Sequence, residues 1–410
     1  MSVPLLRPFP GLRPLPDHAS AVTAPPYDVL SSDEARVMAA DKPLSFLHIS
    51  KPEIDLPEGT DVYSPQVYAK GAENLKALID QGILIQDAKP CFYVYRMSHL
   101  GHAQAGIVGG GSVAAYEANR IRKHEFTRPD KEDDRVRQID ACNAQTGPVL
   151  LAHPQHPDVA AAIAATFKKR PAHTVIAPDG VVHSLWVMDE DDLIASVTAA
   201  FDSMPALYIA DGHHRSAAAA RVAASRRAGA SPDAPHESFL VVSFPMNEMM
   251  ILDYNRVVRD LNGLDAAQFL AALETEFEIR PANGLGRPPT PRCFGLYLEG
   301  QWHRLVPRNP APADPVAGLD VSVLTDRVLA PILGITDLRK DKRIDFVGGA
   351  RGLGELERRV DSGEMAAAFA MFPPSMHNLV CVAEEGLVMP PKSTWFEPKL
   401  ADGMVSYPLW

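Results

Sequence analysis

The chain has 410 residues, 46% of them apolar and 22% charged, and a formal net charge of -11. That length calls for more than one core, and the acidic balance argues against a nucleic-acid partner, which needs a basic surface. Cys91, Cys142, Cys293 and Cys381 form no C-x-x-C pair, so neither zinc nor a disulfide framework is indicated. With no secretory-type apolar start and no run of roughly 18 apolar residues, a cytoplasmic protein without membrane contact is expected.

In chain order, the first 90 or so residues mix Pro-rich turns with helical pieces such as "SSDEARVMAA", where Ser31 or Ser32 caps a helix. "CFYVYRMSHLGHAQAGIVGGGSVAAYE" reads as an antiparallel hairpin around a Leu-Gly turn, its glycine run marking a bulged strand rather than a P-loop, since the P-loop Lys is missing. "RKHEFTRPDKEDDRVR" has the alternating charge of a solvated helix with i,i+4 pairs over Lys131 to Arg137. "DGVVHSLWVM" is an alternating strand in which His183 and Trp186 pack. "DAAQFLAALETEFEI" reads as a helix and "CFGLYLEGQWHRLV" as a hairpin, flanked by the Pro-rich loops "PANGLGRPPTPR" and "PRNPAPADPVAG". In "DLRKDKRIDFVGGARG", Lys342 and Arg343 are either anion contacts or part of an exposed loop. "HNLVCVAEEGLVMPP" reads as a last hairpin. Hairpins interleaved with helices predict an α+β fold with a mixed or antiparallel sheet.

The stretch "LYIADGHHRSAAAARVAA", Leu207 to Ala224, carries the densest chemistry. An apolar strand runs into a strong helix former, so Asp211, Gly212, His213, His214 and Arg215 stand at a helix N-terminus. Free amides and the positive end of the helix dipole favour an anion there. Gly212 permits close backbone approach, Arg215 offers a two-pronged phosphate contact, and the imidazoles add donors. The plainer alternative is an Asp N-cap followed by two surface histidines. A zinc site is disfavoured, because neighbouring side chains diverge by about 100° on a helix and no third ligand lies at a metal spacing.

"ADGHHRSAA" resembles the signature of the ParB/sulfiredoxin superfamily, a turn that holds a phosphate chain. Sulfiredoxins have a catalytic Cys where this chain has His213, and no helix-turn-helix or basic segment of the ParB kind is found. The Asp-Gly-His-His-Arg pattern is that of the free serine kinases. "KHEFTRPDKEDD" at 123–134 resembles their early segment, placing the catalytic carboxylate on Glu125, and "PPKSTWFEPKL" at 390–400 resembles their late one, placing Lys392, Ser393 and Thr394 on matching positions. The whole chain also resembles a large bacterial family long described as of unknown function, members of which are linked to free serine phosphorylation with pyrophosphate. The resemblance implies a ParB/sulfiredoxin-like catalytic core at 91–258 and a C-terminal segment at 336–410 that completes the active site, while 1–90 reads as an N-terminal extension and 259–335 as an α+β insert.

The chemistry so implied is transfer of a phosphoryl group from pyrophosphate, ADP or ATP to the hydroxyl of free L-serine, or the reverse from O-phosphoserine. Such transfer needs in-line positioning, a base and surrounding cations. Glu125 is the base, with His214 beside it as a second catalytic group. Asp211, Gly212, His213, Arg215, Lys123, Arg128, Lys392, Ser393 and Thr394 hold the donor. Tyr27, Asp28 and His124 are candidates for the acceptor, and Mg²⁺ is expected on the donor oxygens with few protein ligands. Asp211 serves either as a metal contact or as an N-cap. A nucleotide-binding regulatory protein without turnover is the alternative. The kinase reading requires Glu125 and His213 to lie within roughly 12–15 Å of each other.

Overall fold

The computed structural model describes residues 4–282 and 286–410, so part of the loop expected at "PANGLGRPPTPR" lies outside the described residues. The chain divides into two units, one comprising Met1–Met249 with Pro398–Trp410 and the other Met250–Glu397. These limits cross the four segments expected from the sequence.

The first unit is built on a nine-stranded sheet. Its strands are β1 (Leu6–Arg7), β2 (Phe92–His99), β3 (His102–Ser112), β4 (Ile121–Arg122), β5 (Val149–His153), β6 (His173–Ile176), β7 (Val182–Met188), β8 (Leu207–Asp211) and β9 (Ser238–Pro245). They lie in the order β4-β8-β5-β9-β3-β2-β7-β6, with β1 beside β3. The β4/β8 and β5/β9 pairs are parallel and the others antiparallel. The sheet is therefore mixed and the fold is α+β. β1 joins this sheet by pairing antiparallel with β3.

The 92–112 hairpin forms as the sequence predicts, but β3 keeps an unbroken register against both β2 and β9 and has no bulge. Its glycines serve close packing instead. A Cβ on Gly109 would stand 2.9 Å from the Phe92 ring and 3.1 Å from the Arg7 carbonyl. The bulge falls in β8, between Ile209 and Asp211, where it re-aims the chain just ahead of the turn.

Four helices matter to the site: α1 (Ser32–Ala39), α2 (Pro65–Asp80), α3 (Pro129–Cys142) and α4 (His213–Arg226). Ser31 caps α1 in a capping box with Glu34. α3 packs between α2 and α4, and Leu75, Leu78 and Cys142 join Phe46, Leu47 and Ile49 in one buried cluster. The charged run expected to be solvated is helical, yet its charges face neighbours. Arg221 of α4 meets Glu132 and Asp133, Arg226 meets Asp140, and Asp134 is buried against Tyr68 and Arg135. Acidic positions on α3 answer basic ones on α4, so pairing between helices replaces pairing along one.

The second unit has a six-stranded sheet of β10 (Tyr254–Val258), β11 (Phe277–Pro281), β12 (Phe294–Leu298), β13 (Gln301–Pro307), β14 (Ile344–Gly348) and β15 (Ala367–Ala370), in the order β11-β13-β12-β15-β10-β14. Its helices include α5 (Ala266–Leu273), α6 (Gly352–Asp361) and α7 (Met376–Glu384). The β12–β13 hairpin matches expectation, the helix expected over 265–279 ends at Leu273 with its last residues in strand β11, and α7 replaces the expected last hairpin. Ser375 and Asn378 form a capping box and Leu379, Val382 and Ala383 are buried at helical spacing, so start signal and period together override the strand preference of Val and Cys. Arg343 is held by Asp341 and the carbonyls of Leu333 and Gly334. Among the described residues no helix is long and apolar enough to cross a membrane.

Candidate active site

The site is assembled where β8 ends. Gly212 has a φ of 95°, a conformation that penalises any Cβ, and it is the N-cap of α4 with no side-chain cap. Asp211 is thus not the cap. One of its oxygens accepts from the Gly212 amide at 2.8 Å and the other from Lys399 Nζ at 3.1 Å. Although burial opposes ionisation, Lys399 and Arg215 hold the Asp211 carboxyl well below the usual carboxylate range.

The two histidines tie the 123–128 segment to the turn. The His124 amide donates to His213 Nε2 at 3.4 Å, and the Arg128 amide donates to His214 Nε2 at 3.1 Å. Burial lowers the pKa of both imidazoles, that of His213 far below its ordinary value. A neutral ring whose Nε2 accepts carries its proton on Nδ1. In His213 that nitrogen faces Glu125 Oε2 at 3.7 Å, inside the separation that the kinase reading requires. His213 is 5% exposed, while the Glu125 side chain is 38% exposed. A buried donor therefore faces a carboxylate that reaches solvent. Burial favours the neutral form of both imidazoles, and each Nε2 already accepts a backbone amide.

Arg215 is also committed. Its guanidinium donates to the Pro148 carbonyl and lies 3.5 Å from Asp28 Oδ2. Tyr27 lies between Arg215 and Arg135, whose guanidinium carbons are 6.0 and 4.0 Å from its ring centre, and burial pushes its phenol up to about 12. The acceptor candidates Tyr27 and Asp28 are thereby grouped with Arg215. His124 is buried edge-on to His213 at 4.6 Å between ring centres, its Nδ1 without a partner, and burial lowers it to about 4. Of the remaining cations expected here, Lys123 stands over Tyr116 at 5.5 Å and Arg128 is exposed in a two-pronged pair with Asp130.

Lys392, Ser393 and Thr394 belong to the second unit. There the Lys392 ammonium stands over Tyr254, its carbonyl accepts from the buried Arg256, and Ser393 Oγ donates to the Pro390 carbonyl at 2.6 Å. Sequence reasoning missed Lys399, Arg135 and Asp402. Lys399 closes the late motif "PPKSTWFEPKL", and that was the available signal. Among the described residues no group of three His, Cys, Asp or Glu side chains is arranged to hold a metal. Asp211, with both oxygens engaged, does not fit as a ligand for Mg²⁺.

A family model described as protein of unknown function (DUF1015) matches residues 6–322. No curated protein matches the chain. Solved structures with some likeness include a mutant free serine kinase in complex with AMP, 13% identical with a TM-score of 0.34, covering 71% of this chain and 86% of that one. SbnI with a C-terminal truncation, from Staphylococcus aureus, is 12% identical with a TM-score of 0.39, covering 74% and 87%. A conserved hypothetical protein from Pyrococcus furiosus is 14% identical with a TM-score of 0.33, covering 72% and 93%. Likeness this loose carries no residue equivalences.

Proposed function

The chain belongs to the family described as protein of unknown function (DUF1015), and we propose that it is a phosphotransferase acting on the hydroxyl of free L-serine. The donor is pyrophosphate or a nucleoside di- or triphosphate, and the product is O-phospho-L-serine. The observation that supports this most directly is the placement of Glu125, a partly exposed carboxylate 3.7 Å from His213 at the start of α4. A helix N-terminus without a side-chain cap attracts phosphate oxygens through its amides and dipole, and a base beside it is the complement that transfer to a hydroxyl requires.

In this reading Glu125 takes the proton of the serine hydroxyl as its oxygen bonds to the terminal phosphorus of the donor. The bond from that phosphorus to the bridging oxygen breaks, releasing inorganic phosphate from pyrophosphate, AMP from ADP or ADP from ATP. His213 positions the base: the His124 amide on Nε2 turns the protonated Nδ1 toward Glu125. Lys399 holds Asp211 and with it the turn. No cluster of His, Cys, Asp or Glu among the described residues is arranged to hold Mg²⁺, so an ion arriving with the donor would supply charge neutralisation without a protein cage. A purely regulatory nucleotide site has no need of a carboxylate in this place.

The test is phosphorus NMR of the purified protein with L-serine, Mg²⁺ and, in turn, pyrophosphate, ADP and ATP. One donor is expected to yield phosphoserine, at a rate falling by roughly 10²- to 10⁴-fold in Glu125→Gln. No product from any donor refutes the reading.

A further inference from the structure

Within the first unit, a cavity of about 30 Å³ lies between Tyr27, Ser50, Arg135, Gly147, Arg215 and Asp402. Asp402 is 1% exposed and Ser50 is 4% exposed. Neither carboxylate oxygen of Asp402 makes a hydrogen bond of ordinary geometry, and Ser50 Oγ makes none either. The Asp402 carboxyl, with the Tyr27 amide beside it, and the Ser50 hydroxyl thus meet at one cavity with hydrogen-bonding capacity unused, a costly arrangement that calls for an explanation.

The charges at the cavity wall narrow what can fill it. Arg135 is paired with Asp134 at 2.7 Å, and Arg215 with Asp28 at 3.5 Å and with the Pro148 carbonyl. Two cations therefore face two carboxylates of their own, and Asp402, once ionised, is the odd anion. An anionic guest would add a second unpaired negative charge beside it. The missing group is a small monocation that donates hydrogen bonds. The cavity volume exceeds the roughly 10–15 Å³ that one water-sized group needs, so the cavity accepts a group of that size. A primary ammonium is of this size and carries three N–H donors, which the Asp402 oxygens and the Ser50 hydroxyl oxygen can accept.

We propose that the Asp402 cavity is a binding pocket for a primary ammonium group and that it receives the α-ammonium of the amino-acid acceptor. The second half of the statement rests on the phosphotransferase reading above, and the first does not. The pocket is held in place before any ligand arrives. Asp402 and Ala24 exchange both backbone hydrogen bonds, at 2.9 and 3.1 Å. A Cβ on Gly147 would stand 3.5 Å from Asp402 Oδ1 and 3.5 Å from Arg215 Cδ, which is ordinary contact. Gly147→Ala therefore narrows the pocket without a clash. Asp402 would select acceptors carrying an amine from simple alcohols of the same length.

The experiment is calorimetric titration of the full chain, without donor, by L-serine, ethanolamine and 3-hydroxypropionate, which lacks the amine. The wild type is expected to bind both amines at millimolar concentration and 3-hydroxypropionate far more weakly. Asp402→Asn, which keeps the shape and removes the charge, is expected to weaken both amines roughly ten- to hundredfold. Gly147→Ala weakens them by obstruction while leaving the carboxylate in place. Binding of both amines that survives Asp402→Asn unchanged overturns the proposal, as does a wild type that binds neither amine, the result expected if the cavity holds only water. Should phosphorus NMR yield no phosphoserine while the amines bind through Asp402, the pocket stands and the kinase reading falls.

Discussion

Asp402→Asn also has a consequence for stability that the wild-type geometry fixes in sign. Burial raises the Asp402 carboxyl from 3.8 to about 7. Below pH 4 the acid is protonated in the folded and unfolded chain alike and contributes nothing. Between pH 4 and 7 the unfolded chain releases a proton that the folded chain keeps, so the folded state loses stability as pH rises. The gap of roughly three pH units, at about 1.4 kcal/mol each, amounts to about 4 kcal/mol, fully expressed above pH 7. Asn cannot ionise and has no such loss. A buried Asn with unmet donors brings a penalty of its own, roughly 1–3 kcal/mol, but this is independent of pH. The measurable quantity is therefore the change in the difference between variant and wild type. It should move by about 4 kcal/mol in favour of the variant from pH 4 to pH 8, a relative melting shift on the order of 10 °C for a unit of this size. Buried histidines act in the opposite direction. His124, His173 and His183 are lowered to about 4 by burial, so the folded state loses stability as pH falls below 6.5, but both proteins share this and it cancels. Thermal unfolding followed by circular dichroism across that range, in buffers free of primary amines, checks the reasoning. A difference that stays flat from pH 4 to 8 refutes it.

Three further outcomes are expected. Lys399→Met leaves Asp211 without its ammonium partner; with both side chains partly exposed, solvent screening holds the loss to about 1 kcal/mol, and urea unfolding should register it together with a weaker phosphate-ligand affinity. Gly212→Ala places a Cβ 3.2 Å from Val149 Cα at a φ of 95°, costing about 1–2 kcal/mol of backbone strain; a melting temperature equal to wild type would show that the turn does not need glycine. The imidazoles of His124 and His213 should remain neutral when the pH of the folded protein is brought down through 6.5, because burial lowers both; nitrogen NMR reads the tautomer directly, and protonation of His213 near pH 6.5 would contradict its proposed orientation of Glu125.

Local pattern alone determined much of the framework. The strand–turn–helix of 207–226, the hairpins at 92–112 and 294–307, and the cap at Ser31 follow from short-range propensity, period and hydrogen bonding between residues three or four apart. The same local chemistry, together with a family resemblance, singles out Glu125 and the Asp211–Arg215 turn within the amino-acid sequence itself. Tertiary structure decided how these groups are engaged. The histidines became neutral acceptors for two backbone amides because folding removed them from water, which no pattern along the chain records. Asp211 found Lys399 across 188 positions, and Asp402 came to the same cavity as Arg135 and Arg215 from the far end of the chain. A charged residue in a loop looks the same in sequence whether it ends in water or buried without a partner. Only the packing around it sets the desolvation cost, and that cost makes Asp402 chemically distinctive.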